Sequence, residues 1–152
     1  MSQVQPGVDL PSSAGYLLKK ASSALHSAME AVLRPLGMNI THYSCLELLS
    51  QRPGLSNSEL ARGAFVTRQS MNVLLVALER DGLVTRAPQA STGRALPTEL
   101  TAKGRAQLAT ASAAVRAIED RMTTSFSAAE RSNLGDLLSR CVTSLGAKGA
   151  EN

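Results

Sequence analysis

Gln69 and Asn72 stand three residues apart in the run Thr67-Arg68-Gln69-Ser70-Met71-Asn72-Val73, a spacing that puts both carboxamides on one side of a helix. Each carboxamide offers a donor and an acceptor side by side, the arrangement that grips the N6/N7 edge of adenine. On a helical wheel of about 100° per residue, Met71, Leu74, Leu75 and Leu78 cluster on one face, and Gln69, Asn72, Val73 and Val76 fall on the other. Valines turned outward beside two amides have no use on a bare surface, whereas their methyls can pack on the C5-methyl of thymine. Arg68 and Ser70, in the first turn, reach a guanine edge or a phosphate. Thr67 and Ser56, which open this helix and the one before it, complete the expected contact set. Arg62, Arg68, Arg80, Arg86 and Arg94 face only Glu79 and Asp81 in this stretch. Arg94 lies in a Gly-containing loop, where the negative potential of a narrow minor groove would suit a lone cation.

Other chemistries find less support. The only histidines are His26 and His42, and no Gly-rich phosphate loop, HExxH or CxxC is present. His42 and Cys45 share a helix face, and His26 with Glu30 could join them, but a closed zinc site wants four well-placed ligands. The expected reading is a core cysteine and a polar first-turn histidine, with no metal, no cofactor and no catalysis. Cys45 and Cys141 both sit in apolar, helically spaced stretches without a cationic cluster to lower a thiol pKa. Slow alkylation and DNA binding that survives mild peroxide are expected.

The elements that must position these residues follow from periodicity. A first helix spans about 14–34, with Leu18, Ala21, Leu25, Met29 and Val32 at helical steps. A second follows with Thr41 as its N-cap and Tyr43, Leu46 and Leu49 inward. Ser56 to Glu59 forms a capping box for a short third helix, which Gly63 is expected to break into a tight turn. Thr67 caps the fourth. Residues 83–86 and 95–100 read as strands around a loop, the second at an edge because Pro97 cannot donate to a ladder. Thr101 caps an Ala-rich helix to about 125, and a second capping box, Ser127 to Glu130, opens the last. The order helix, short helix, turn, helix, strand, loop, strand is that of a winged helix-turn-helix. The expected fold is mainly α with a small β-wing: a flexible tail over 1–13, a winged unit over 37–100, and helical dimerisation regions over 14–36 and 101–147.

Length and composition bound the reading. The chain has 152 residues, 43% of them hydrophobic, enough for a core without staples. Aromatics are 3%, so aliphatic side chains and alanines must fill that core. Lys plus Arg exceed Asp plus Glu by 16 to 12, a modest net charge of +4 that suits a polyanion without demanding one. No apolar run of about 18 residues could span a membrane, and the N-terminus lacks a signal peptide's basic and apolar regions. A cytoplasmic location without membrane contact is expected. Leu18, Leu25, Met29 and Val32 near one end, Leu134, Leu137, Leu138 and Leu145 near the other, and Leu108, Val115, Ile118 and Met122 between them exceed what the winged unit can cover. A second copy offers the same stripes back, with Ala21, Ala24 and Ala28 permitting close approach.

The segments 36–41 (Leu-Gly-Met-Asn-Ile-Thr), Leu55-Ser56 with Glu59-Leu60-Ala61, 78–86 (Leu-Glu-Arg-Asp-Gly-Leu-Val-Thr-Arg), Arg94 and 100–104 (Leu-Thr-Ala-Lys-Gly) resemble, in order and spacing, the multiple-antibiotic-resistance regulator (MarR) family. The likeness extends over about 15–145. It implies a sequence-specific regulator of transcription, a repressor acting as an obligate homodimer on a palindromic duplex operator, and release by a small aromatic ligand or an oxidant. A ligand cleft between the helical ends and the winged unit would draw on Tyr16, Met29, His42 and Tyr43. Two departures matter. Thr92 stands where the family usually has a wing Asp, and Gly15 stands where its hydroperoxide sensors keep a reactive Cys. The alternative is a winged helix used only for protein contacts, which would tend to lose Arg68 and Arg94 or carry acids there.

Overall fold

The computed structural model describes residues 7–86 and 97–146; Thr92, Arg94 and the first two residues of the expected second strand fall outside that description. Six α-helices and two strands follow in the expected order: α1 (Ala14–Leu33), α2 (Ile40–Gln51), α3 (Asn57–Gly63), α4 (Arg68–Arg80), β1 (Val84–Arg86), β2 (Thr98–Leu100), α5 (Ala102–Met122) and α6 (Ala128–Ser144). The core is aliphatic, with Leu33, Leu46, Leu49, Leu60, Met71, Leu75 and Leu78 fully buried where α1 to α4 converge.

Helix starts follow local chemistry. The hydroxyls of Thr67, Thr101, Ser56 and Ser127 accept from the backbone N–H three residues on, and both Ser residues complete reciprocal capping boxes with Glu59 and Glu130. At α2 the cap differs from expectation: Asn39, not Thr41, is the N-cap, its Oδ1 accepting from the His42 N–H at 2.8 Å. Both residues suit a cap, but Gly37 at φ 74° ends the preceding turn early enough for Ile40 to begin the helix.

Gly63 ends the third helix as expected, and the turn follows at Ala64. A β-carbon on Gly63 would lie 2.7 Å from Leu48 Cδ1. Its absence lets α3 pack closely on α2. The left-handed residue of the turn is Phe65, at φ 60°.

The strands pair antiparallel in the register Val84↔Leu100, Thr85↔Glu99 and Arg86↔Thr98. β2 is not a bare edge. Thr98 N–H donates to the Leu55 carbonyl at 3.3 Å, and Gly54 N–H donates to the Thr98 carbonyl at 3.1 Å. Pro97 precedes β2, so its missing N–H costs the ladder nothing. The start of α5 is locked onto the α4–β1 corner. Thr101 Oγ1 donates to the Gly82 carbonyl at 2.6 Å, and Lys103 Nζ donates to the Asp81 carbonyl at 2.9 Å. Gly104 packs so tightly on the Leu83 carbonyl that no side chain fits.

The two ends of the chain are different. In the 20-residue α1 only Leu33 is buried, and in the 17-residue α6 nothing is. Leu17, Leu18, Leu137, Leu138, Val142 and Leu145 are exposed.

Candidate nucleic-acid interface

α4 is a helix with two faces. Met71, Leu75 and Leu78 are fully buried and Leu74 is half-buried, while Thr67, Arg68, Gln69, Ser70, Asn72, Val73 and Val76 are exposed. Val73 keeps 66% of its surface and Val76 52%, so the outward valines inferred from the wheel are where they were expected. Thr67 and Ser70 are tied to one another: Ser70 N–H donates to Thr67 Oγ1 at 3.0 Å, and Thr67 Oγ1 donates to Ser70 Oγ at 3.0 Å. That pair rigidifies the first turn and leaves Arg68 and Gln69 free to project.

The third helix fixes where that first turn sits. Asn57 Nδ2 donates to the Arg68 carbonyl at 3.2 Å, joining the starts of α3 and α4. Ser56, whose hydroxyl accepts from Glu59 N–H, stands at the same end of the unit. Hydrogen bonds from the Ser56 backbone and hydroxyl hold the Glu59 carboxyl below its ordinary range, so the box stays charged at neutral pH.

Behind the helix, Arg86 Nη1 approaches Asn72 Oδ1 at 3.5 Å, a long contact that brings the wing strand β1 to the middle of α4. In the sequence Arg86 stands out only for the basic excess and the 78–86 segment it closes. Its place opposite Asn72 depends on the pairing of strand and helix, which no local spacing reveals.

The four candidates for ligand contact do not form one cluster. Tyr16 begins α1 and Met29 lies 13 residues further along it, about 20 Å at the helical rise. Met29, His42 and Tyr43 lie in the α1–α2 region, with Met29 and Tyr43 packed against the core. Tyr43 donates to Glu47 Oε2 at 3.1 Å, which also accepts from Ser112 of α5 at 2.8 Å. Burial pushes the His42 imidazole below its usual pKa, opposed by Asp81, and its Nε2 is buried without a hydrogen-bond partner among the described residues. His26 is elsewhere, exposed and 3.3 Å from Glu30 on the surface of α1.

Apolar hollows lie instead between α1 and α6. One of about 510 Å³ is lined by Ala14, Gly15, Leu18, Leu137, Cys141 and Leu145 among others. A second of about 480 Å³ is lined by Leu17, Leu25, Met122, Leu134 and Leu138 with their neighbours. Cys45 is buried and its thiol is pushed up to about 12 by desolvation. Cys141, expected to be shielded, is exposed beside the first hollow, because the contacts of α6 with α1 leave none of its residues buried.

A helix-turn-helix whose second helix keeps a bare polar and methyl-bearing face, backed by a two-stranded wing, defines the class of winged-helix transcription regulators. The chain belongs to the MarR family, whose model matches residues 36–95. It is 43% identical over 126 residues to the HTH-type transcriptional repressor Rv2887 of Mycobacterium tuberculosis, covering 83% of this chain and 91% of that one. The solved structure of Rv2887 in complex with DNA matches at a TM-score of 0.72 and 39% identity, covering 90% of this chain and 99% of the other. The complex of Rv2887 with salicylic acid matches at a TM-score of 0.70 and 42% identity, covering 86% and 96%.

Proposed function

We propose that two copies of this chain bind a palindromic duplex operator, repress transcription there, and release it when a small aromatic acid binds. The observation that carries the reading is the outer face of α4, where Arg68, Gln69, Asn72, Val73 and Val76 are all exposed on a helix whose other face is core. Gln69 and Asn72 are assigned to base edges, Val73 to a thymine methyl, and Arg68, Ser70, Thr67 and Ser56 to phosphates or a guanine edge. Arg94 is assigned to the minor groove from its place between the strands. The exposed leucines of α1 and α6 supply the surface between copies, so that 14–36 and 101–147 serve as the dimerisation region and 37–100 as the reading unit. The likeness to a repressor solved with both DNA and salicylic acid supports each half of the reading. Met29, His42 and Tyr43 are the ring-contact candidates, with Tyr16 further off; the unpartnered His42 Nε2 suits a carboxylate or phenol. No catalytic role is assigned, in keeping with relatives that are regulators.

Selection of bound sequences from random duplexes tests the reading. The wild type should enrich a two-fold consensus with half-sites about 10 base pairs apart, or a multiple of one turn. Gln69→Ala and Asn72→Ala should each relax one position per half-site, a loss of about 1–3 kcal/mol of discrimination. Arg94→Ala should weaken binding to all sequences and flatten the salt dependence. Salicylic acid should release the selected duplex and raise the melting temperature of the free protein. No enrichment by the wild type would overturn the DNA-binding assignment, and an unchanged consensus in both amide variants would overturn the placement of the reading face.

A further inference from the structure

Four helical segments among the described residues end in a left-handed residue, and three of them use glycine: Gly37, Gly82 and Gly146, at φ 74°, 77° and 70°. The fourth is α3, inside the helix-turn-helix, and its left-handed residue is Phe65 at φ 60°. The hydrogen bonding is that of the other ends. Val66 N–H donates to the Ala61 carbonyl at 3.0 Å and Phe65 N–H to the Arg62 carbonyl at 3.2 Å. Leu83 with Leu78, and Gly82 with Glu79, repeat the pattern at the end of α4. A β-carbon is disfavoured in this conformation, and most of all on a bulky residue.

Among the described residues nothing offsets that strain. Phe65 is 93% exposed, while its neighbour Val66 turns into the core. A local rule kept three times and broken once, with no packing gained, marks a side chain held for something outside the chain. Its position says what. Phe65 stands two residues before Thr67, the N-cap of α4, at the end of a groove helix that meets base edges. Arg62 and Arg68, both exposed, flank it, which suits a polyanion rather than an apolar protein surface.

We propose that Phe65 is a specificity-determining residue of the DNA-binding reading above, packing its ring on the C5-methyl of a thymine in the major groove beside the start of α4. The thymine methyl is the apolar group that duplex DNA displays in that groove. The ring buried there loses water that nothing in the free protein removes.

The test uses the consensus duplex selected by the wild-type protein, made with deoxyuridine in place of each thymine in turn. Uracil keeps the pairing and lacks only the methyl. For the wild type, one position per half-site besides the thymine assigned to Val73 should lose about fourfold in affinity, the worth of one buried methyl. Phe65→Gly should bind the parent duplex on the order of tenfold more weakly, show no uracil penalty at that position, and melt at the same or a higher temperature. Phe65→Asn, which also tolerates the left-handed region, should behave alike. An undiminished uracil penalty in both variants would overturn the inference and leave the DNA-binding reading intact. So would a melting temperature lowered by several degrees in both, which would make Phe65 a packing residue. A wild type that selects no sequence would remove both readings at once.

Discussion

His42 shows how a single residue reports on its surroundings. Its imidazole lies half-buried at the start of α2, where desolvation holds the pKa down against the pull of Asp81. A histidine whose folded pKa is depressed binds fewer protons folded than unfolded, so stability rises with pH across that interval. The contribution is present above the unfolded value near 6.5 and is lost as pH falls below it. Between pH 7.5 and 5.5 the wild type should lose melting temperature, and His42→Gln should lose less; superimposable curves for the two proteins would contradict the burial argument. At this scale the sequence is readable where a residue acts through its near neighbours, except at α2, where Asn39 and Thr41 both suit a cap and the backbone selects Asn39. Thr67, Thr101, Ser56 and Ser127 were identified as caps because each needs only the N–H three residues on. The close approach of Gly63 to Leu48 has no local signal, because Leu48 is on another helix. Phe65 was missed because composition points to glycine at a left-handed position, and only a backbone angle shows a phenylalanine there.

α4 and α6 mark the limits of legibility among the elements. The inward and outward sides of α4 follow from its wheel, since the same chain supplies the core it packs on. The stripe on α6 reads as equally apolar, yet none of its residues is buried. Periodicity shows that a face needs covering and not whether its own chain covers it. Cys141 turns that difference into a measurement. It is exposed in the single chain, beside the hollow shared by α1 and α6. If a second copy covers that hollow, Cys141 should alkylate slowly at micromolar protein and faster on dilution. Cys45, buried and with its thiol pushed up to about 12, should stay slow at both concentrations. Fast, concentration-independent labelling of Cys141 would place it outside the interface. The separation of Tyr16 from Met29 along α1 was likewise hidden from a reading by residue type, although the helical rise alone sets it at about 20 Å.

At the scale of the whole molecule, a compact reading unit is joined to two long helices that bury almost nothing of their own. The hydrogen bonds from Thr101 and Lys103 to the α4–β1 corner tie the start of α5, which packs on α1, to the reading unit. On the proposed reading, a ligand that changed how the helical ends pair would act on α4 through that junction. On the proposed function, two such units act together on one operator. Sedimentation of the full chain, alone at micromolar concentration and with a duplex carrying its selected consensus, tests that claim most directly. The expected result is a free species of twice the 16.0 kDa chain mass, and a complex of two chains per duplex formed in one step. A free species of 16.0 kDa that loads the two half-sites independently would contradict it.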